Sequence, residues 1–370
     1  MSASSSTGGI RVLRTRQPVS HIAADGSRIA VATTTKQMEI CDRIVVWSPK
    51  TRSSPSFKTG ACNDSSTGDD VLGIALAGKR VFWLESGGGN WRELVALSHT
   101  LGSKGSAASV SYATYSLSAF EPDEYGPYTF VGNLFGAGNQ LVFNSWTACM
   151  EVPVGWSGAT CPESAPGDEP AMLYSKQRLL KVVNGAGVEI ASAPDTLTDA
   201  TSGISAEDDV AMSTALAPAV VAVDPKSIAA QFPDGSVTVY PASGAALRSI
   251  PIPPGTFSGF ALQGSQLVTI RNGRLELYDV SSGRLAKTIW LGDAAKLGGL
   301  YKGLVTYVDY RVHVLRLSDR KHANLSPPRA DFIGPQIEAS GLFYAYNDPS
   351  GHAPGRVVFV PIAKILKQLG

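Results

Sequence analysis

Four cysteines are the residues of this chain best able to form a covalent crosslink. They are Cys41, Cys62, Cys149 and Cys161. Neighbours along the sequence would pair as Cys41–Cys62 and Cys149–Cys161, although four cysteines allow three pairings. The sequence has no Cys-x-x-Cys spacing and no nearby histidine to favour zinc, and buried free thiols are the other alternative. Because disulfides form in oxidising compartments, the pattern predicts an exported protein that is secreted, periplasmic or at the cell surface.

Aromatic side chains and one histidine form a second group with binding chemistry. They lie in or beside the longest loops that the sequence indicates: Trp91, Tyr125, Tyr128, Trp146, Trp156 and His352. Large rings with a polar tip bind sugars, cationic groups and protein segments. His352 is the histidine placed to serve as a base. The alternative is that these rings only pack the loops that carry them.

Acidic side chains in the same loops could hold a cation. Asp69, Asp70, Asp208 and Asp209 are the candidates, because Ca²⁺ takes several carboxylate and carbonyl oxygens. None of them belongs to an Asp-x-Asp-x-Asp-Gly loop, and solvated surface acids are the alternative. We therefore expect no cofactor, with Ca²⁺ as the alternative.

Catalytic signatures are sparse in the sequence. The Gly-Trp-Ser-Gly run at 155–158 is followed by Ala159, so it is not the Gly-x-Ser-x-Gly of a nucleophile elbow. The formal net charge is +1 and the Lys and Arg residues are dispersed, which argues against a nucleic-acid surface. No apolar run approaches the roughly 20 residues of a membrane span, so no membrane insertion is expected.

The elements that would position these residues come from a strand–turn–strand unit that recurs seven times. The copies open near Ile22, Ile74, Leu134, Val221, Phe260, Gly299 and Ile337. In the last four copies the turn positions are Pro225, Gly264, Gly303 and Gly341, which are 39, 39 and 38 residues apart. A period near 40 residues is typical of four-stranded propeller blades.

The third strands carry a family resemblance. Segments such as Arg274-Leu-Glu-Leu-Tyr278-Asp279 alternate with period 2, and a short turn with Gly283 follows. In this pattern the protein resembles the bacterial seven-bladed β-propellers of the WD40-like and TolB-like superfamily. The resemblance implies an all-β fold, a seven-bladed β-propeller of four-stranded antiparallel blades. We expect an N-terminal strand within residues 10–16 to complete the last blade and close the ring.

The expected domain organisation is simple. Residues 1–9 would be a disordered leader, and residues 10–370 a single propeller domain. The connections from second to third strands and from unit to unit emerge on one face, which we call the loop face. Long loops of blades 7, 1, 2 and 3 would form a raised wall there, and each disulfide would crosslink these loops. Between residues 171 and 209 the register stays open, with 171–174 and 179–183 as candidate third and fourth strands.

The sequence therefore favours an exported, non-catalytic propeller that binds a protein, peptide or glycan through the wall. It would act as a monomer and would bind no nucleic acid. A Ca²⁺-dependent hydrolase or lyase with its site in the central channel is one alternative. A structural domain that spaces a cell-surface assembly through its sides is another.

Overall fold

The computed structural model describes most of the protein. The described residues are 9–34, 40–63, 70–87, 91–104, 107–116, 128–152, 172–183, 186–192, 196–199, 219–232, 235–241, 248–329, 331–348 and 354–370. Within these ranges the regular structure is β-strand, apart from one short helix, α1 (Ile362–Gln368). No helix in these ranges has the length and hydropathy needed to cross a bilayer.

The described strands form seven antiparallel sheets, which we number in sequence order. The first strand, β1 (Arg11–Arg14), belongs to the last sheet. Sheet 1 contains β2 (Val19–Asp25), β3 (Arg28–Thr33), β4 (Ile40–Trp47) and β5 (Ser56–Asn63). Sheet 2 contains β6 (Asp70–Ala77), β7 (Arg80–Gly87), β8 (Trp91–Thr100) and β9 (Ala108–Ser116). Sheet 3 contains β10 (Tyr128–Ala137), β11 (Gln140–Val152), β12 (Met172–Val183) and β13 (Ala186–Ser192), with β14 (Thr196–Asp199) also paired to β12.

The remaining sheets have shorter strands. Sheet 4 contains β15 (Ala219–Val223), β16 (Ser227–Gln231), β17 (Val237–Pro241) and β18 (Arg248–Ile250). Sheet 5 contains β19 (Phe257–Gln263), β20 (Gln266–Arg271), β21 (Arg274–Asp279) and β22 (Arg284–Trp290). Sheet 6 contains β23 (Lys296–Tyr301), β24 (Leu304–Val308), β25 (Val312–Arg316) and β26 (His322–Asn324). Sheet 7 contains β27 (Phe332–Glu338), β28 (Gly341–Tyr346) and β29 (Arg356–Pro361), with β1 beside β29.

Neighbouring sheets pack face to face, and the apolar cores of the described residues lie between neighbouring sheets. Because successive side chains of a strand point to opposite faces, one strand supplies two cores. In β3, Ile29 packs in the core that sheet 1 shares with Phe359 of sheet 7. The next residue, Ala30, packs in the core shared with Trp83 of sheet 2. Burial on both faces explains why the inner strands read as continuous apolar runs rather than as polar–apolar alternation.

The first strands of the sheets contact one another in a complete circuit. The order is β2, β6, β10, β15, β19, β23 and β27, and β27 contacts β2 again. Glycine permits the closest approaches: a Cβ on Gly298 of β23 would overlap the carbonyl oxygen of Pro335 in β27. At the outside of sheet 7, β1 pairs antiparallel with β29, so that Arg11 lies opposite Phe359 and Arg14 opposite Arg356.

Sheet 3 corrects two expectations. Cys149 was expected in a long loop, but β11 continues to Val152 and contains it. The segments 171–174 and 179–183 were expected as third and fourth strands, but residues 172–174 and 179–183 belong to one third strand, β12. The reason is that the residues between them, 175–178, contain no Gly or Pro to break pairing, and the register with β11 stays continuous from Lys181 to Tyr174. The fourth strand is β13.

Candidate functional site

A disulfide joins Cys41 and Cys62, the pair that the sequence analysis placed together. Its location differs from the expectation, because it does not link two loops of neighbouring blades. Cys41 lies in β4 and Cys62 in β5, directly opposite each other at the loop-face end of sheet 1. The crosslink therefore holds the two outer strands of one sheet together. Cys149 lies in β11, Cys161 is outside the described residues, and their pairing stays a prediction.

Three of the six predicted binding residues lie in strands rather than loops. Trp91 begins β8, Tyr128 begins β10, and Trp146 lies within β11, where it is opposite Phe130. These positions lie toward the loop face of sheets 2 and 3, whose first three strands are longer than any strand of sheets 4 to 7. Tyr125, Trp156 and His352 are outside the described residues. Their role in binding stays a prediction.

The predicted cation ligands are represented by one described residue. Asp70 begins β6 at the loop face, where its Oδ1 accepts a hydrogen bond from the Thr34 hydroxyl at 3.3 Å. Asp69, Asp208 and Asp209 are outside the described residues. Among the residues that the structure does describe, no three His, Cys, Asp or Glu side chains form a group able to hold a metal ion.

A cavity of about 440 Å³ lies at the centre of the opposite face. We call this the turn face, because the turns between first and second strands lie there. Three carboxylates line the cavity: Asp25 from sheet 1, Asp224 from sheet 4 and Glu338 from sheet 7. The sequence analysis did not single them out, because each lies beside a hairpin turn, where acidic residues are common for local reasons.

These carboxylates bind the backbone of neighbouring turns. The two oxygens of Asp25 accept hydrogen bonds from the N–H groups of Gly78, at 2.7 Å, and Gly138, at 3.1 Å. Asp224 Oδ2 accepts from the N–H of Gly264 at 2.7 Å. Sheet 1 is thereby tied to sheets 2 and 3, and sheet 4 to sheet 5. This chemistry fixes the spacing of the turns, which is a structural role for Asp25 and Asp224.

Polar side chains tie the last sheets in the same way. Gln336 of sheet 7 accepts a hydrogen bond from the Ala24 N–H and donates to the Ile22 carbonyl of sheet 1, at 2.5 and 3.1 Å. The Thr306 hydroxyl of sheet 6 donates to the Pro335 carbonyl of sheet 7 at 3.1 Å. The junction between the last and first sheets therefore has specific hydrogen bonds as well as an apolar core.

The third carboxylate that lines this cavity is Glu338. Burial raises the pKa of its carboxyl to about 7; the nearby Asp25 acts in the same direction, and the hydrogen bond from the Gly26 N–H opposes them. The folded protein therefore holds a proton on Glu338 at pH values where the unfolded polypeptide has released it. The free energy of unfolding should fall as the pH rises from about 4.5 to about 7, which are the unfolded and folded pKa values.

We expect the Glu338→Gln substitution to remove this pH dependence. The amide keeps an oxygen to accept from the Gly26 N–H but cannot ionise. Relative to the wild type, the variant should gain on the order of 3 kcal/mol of unfolding free energy between pH 4.5 and 8. Urea unfolding at several pH values measures the difference. Asp293→Asn, at an exposed carboxyl, is the matched control, and parallel pH profiles for wild type and Glu338→Gln would contradict the prediction.

A smaller cavity lies farther along the centre, between sheets 1, 2 and 3. It is lined by His21, Leu72 and Leu134 among others, and its volume is about 210 Å³. Burial lowers the pKa of His21, although the nearby Asp70 raises it. The ring Nδ1 has no hydrogen-bond partner in the described part of the protein. Burial therefore disfavours the charged form of His21, which lines this cavity with one ring nitrogen unpartnered.

The described loop face presents two exposed aromatic rings that sequence reasoning missed. Trp290 ends β22 of sheet 5 with 59% of its surface exposed, and Tyr310 is 66% exposed in the β24–β25 turn of sheet 6. The turn that carries Tyr310 is rigid, because Asp309 Oδ1 accepts from both the Arg311 N–H and His313 Nε2. Loop length does not mark these two residues, because sheets 5 and 6 have short loops.

Comparison with known proteins identifies the class of fold. No protein-family model matches the sequence, and no curated protein matches it. Among solved structures, the protein is similar to Hsv2 of Kluyvelomyces marxianus, with a TM-score of 0.50 and 11% identity over 89% of each polypeptide. It is similar to a component of the mitotic checkpoint complex, with a TM-score of 0.50 and 12% identity over 96% of this protein and 93% of that one. It is also similar to the computationally designed Ika8 protein, with a TM-score of 0.50 and 10% identity over 93% of this protein and 96% of that one.

The protein is therefore a β-propeller, similar in fold to WD40-like proteins. At this level the resemblance read from the sequence is confirmed. Sequence identities near 10% carry no activity or ligand across, so function has to be argued from the surface of this molecule.

Proposed function

We propose that this protein is an exported, non-catalytic interaction module that binds a segment of a partner protein on its loop face. The observation that carries the proposal is the pair of exposed rings, Trp290 and Tyr310, on ordered backbone of that face. Tryptophan and tyrosine are enriched at the energetic centres of protein interfaces. Their rigid presentation lowers the entropy that is lost on binding.

The finer architecture belongs to the same proposal: seven blades in one ring, closed by the N-terminal strand. The circuit of first-strand contacts and the pairing of β1 with β29 support it. Closure would remove an open sheet edge and hold the loop face as one rigid surface. The Cys41–Cys62 disulfide supports export, because such bonds persist in oxidising compartments.

The proposed binding surface extends over the loop-face ends of sheets 2 and 3. Trp91 and Tyr128 begin strands there, and Trp146 lies in the middle of β11. Exposed rings on neighbouring blades, such as Trp290 and Tyr310, suit an extended protein segment, which contacts a partner at successive side chains. A glycan is the alternative ligand, because aromatic rings also pack against sugars.

Selection from a displayed library of random peptides tests the proposal. Wild-type protein should enrich a peptide family, and the Trp290→Ala/Tyr310→Ala double variant should bind the enriched peptides at least about tenfold more weakly. The matched control is Leu285→Ala, which removes an apolar side chain that is 50% exposed at the turn-face end of the same strand as Trp290. Fluorescence anisotropy gives the dissociation constants, and thermal unfolding shows that each variant is folded.

Two results would overturn the proposal. One is the absence of any enriched peptide with the folded, oxidised protein. The other is equal binding of the enriched peptides to the double variant and to the wild type, which would move the interaction surface away from these rings. Enrichment of a glycan instead, in an array experiment, would leave the loop face as the site but change the ligand.

A further inference from the structure

Three arginines converge at the loop-face end of sheet 7. Arg14 ends β1, Arg356 begins β29, and Arg329 lies just before β27. With Tyr346, Asp348 and Pro354 they line a cavity of about 200 Å³, which we call the arginine pocket. Among the described residues that line it, three guanidinium groups stand against one carboxylate, a local excess of positive charge in a protein whose formal net charge is +1.

Strand register brings two of these arginines side by side. Arg14 lies directly opposite Arg356 in the β1–β29 pair, and Tyr346 lies directly opposite Arg356 in the β28–β29 pair. Residues directly opposite each other in antiparallel strands point to the same side of the sheet. Like charges directly opposite each other are destabilising, and an anion bound between them would offset that repulsion. The arrangement therefore indicates that the pocket accepts a negative group.

The third arginine is held in a fixed orientation. The Arg329 guanidinium carbon lies 4.2 Å from the centroid of the Tyr346 ring, a cation–π contact. Its Nη1 donates to the Asn347 carbonyl at 3.4 Å. Asn347 is itself fixed, because its side-chain amide accepts from the Val19 N–H and donates to the Val19 carbonyl. The guanidinium is thus oriented before any ligand arrives, which lowers the entropy cost of binding.

None of the three arginines forms an ion pair with a residue in the described part of the protein. Guanidinium groups match the two oxygens of a carboxylate in a bidentate, charge-assisted geometry. The pocket is smaller than the roughly 300–1,000 Å³ of small-molecule sites, so it suits one group of a larger partner rather than a whole cofactor.

We propose that the arginine pocket binds a carboxylate of the partner segment, from an Asp or Glu side chain or from the carboxyl terminus of the partner. This inference rests on the proposed function and specifies the chemistry of the partner, an acidic protein segment. The Tyr346 ring supplies an apolar floor, and Arg14, Arg329 and Arg356 supply the donors.

Labelled peptides of defined charge test the proposal. The first two probes are an acetylated, amidated tetraglutamate and its tetraglutamine counterpart. The third is an acetylated peptide with uncharged side chains and a free C-terminal carboxylate. Fluorescence anisotropy should show binding of the tetraglutamate, weakened by salt, and none of the tetraglutamine. Binding of the third probe would assign the site to an α-carboxylate, and its failure would assign the site to side chains.

Substitutions locate the binding. Arg14→Gln and Arg356→Gln should each weaken tetraglutamate binding roughly tenfold or more. Arg356→Lys should weaken it less, because the charge stays while the bidentate fork is lost. Arg284→Gln, with the same charge change at the turn-face end of β22, should leave the affinity unchanged. Thermal unfolding verifies that the variants are folded.

Equal tetraglutamate affinity of the wild type and the Arg14→Gln and Arg356→Gln variants would overturn the proposed arginine pocket. So would binding of tetraglutamine as tight as that of tetraglutamate. The two proposals fail separately. Suppose that tetraglutamate binding depends on the arginines but no peptide is enriched from a library. That result would support the arginine pocket and contradict the proposed aromatic binding surface. If enriched peptides bind less tightly without Trp290 and Tyr310 but equally well without the arginines, the aromatic surface is supported and the arginine pocket is contradicted.

Discussion

Replacing Glu276 by alanine is expected to lower the free energy of unfolding by about 3–5 kcal/mol. Glu276 lies in β21 with 2% of its surface exposed. Its carboxylate accepts from Arg271 through Nε at 3.1 Å and through Nη2, and from the Tyr278 hydroxyl at 2.8 Å. Burial and this carboxylate raise the pKa of Tyr278. Without Glu276, the guanidinium of Arg271 would stay partly buried and unpaired.

Two comparisons make the Glu276 experiment decisive. Asp319→Ala breaks an exposed pair with Arg316 that has the same bidentate geometry, and it should change stability little because water replaces the contact. The double variant Arg271→Met/Glu276→Leu should recover most of the loss, because it removes both buried charges together. Urea unfolding measures all three. The prediction would be contradicted if Glu276→Ala lowered the free energy of unfolding no more than Asp319→Ala does.

Removing the Cys41–Cys62 disulfide is expected to cost about 3 kcal/mol of unfolding free energy. The two cysteines are 21 residues apart, and closing a loop of that length restricts the unfolded polypeptide by about this amount. The Cys41→Ser/Cys62→Ser double variant, compared with oxidised wild type in urea, gives the difference. Serine is close in size to cysteine, so packing against the core changes little.

A reductant provides the control for the disulfide prediction. Reduced wild type and the untreated double variant should unfold at similar urea concentrations if this bond accounts for the effect of reduction. A further loss when the variant itself is reduced would report a second disulfide, as the predicted Cys149–Cys161 pair requires. Unchanged stability of the variant, with the bond verified by mass spectrometry in the wild type, would contradict the prediction.

The repeat could be predicted because its signals are local. Turn glycines such as Gly264, alternating third strands and a spacing near 39 residues each reflect the backbone geometry of one sheet. The predicted location of the Cys41–Cys62 disulfide was wrong, because the ends of strands are the structural feature that a sequence pattern predicts least reliably. Cys41 and Cys62 looked like loop residues, yet both continue the pairing of β4 with β5.

The candidate site was harder to predict because its residues are far apart in sequence. Arg14 and Arg356 meet only through the pairing of β1 with β29, and neither has a local motif. Trp290 ends an ordinary outer strand, and only its exposure distinguishes it from a core residue. Loop length, the signal that the sequence offers, pointed instead to sheets 7, 1, 2 and 3. Of these, sheet 7 carries the arginine pocket.

The pairing of β1 with β29 has a consequence for biosynthesis. During translation β1 leaves the ribosome long before β29, its partner in sheet 7, is made. Contacts between such distant segments form late, because a long loop has to close before they gain any stability. The arginine pocket needs both strands, so a truncated or unfinished polypeptide would lack it. Affinity for an acidic segment would therefore depend on the pairing of β1 with β29.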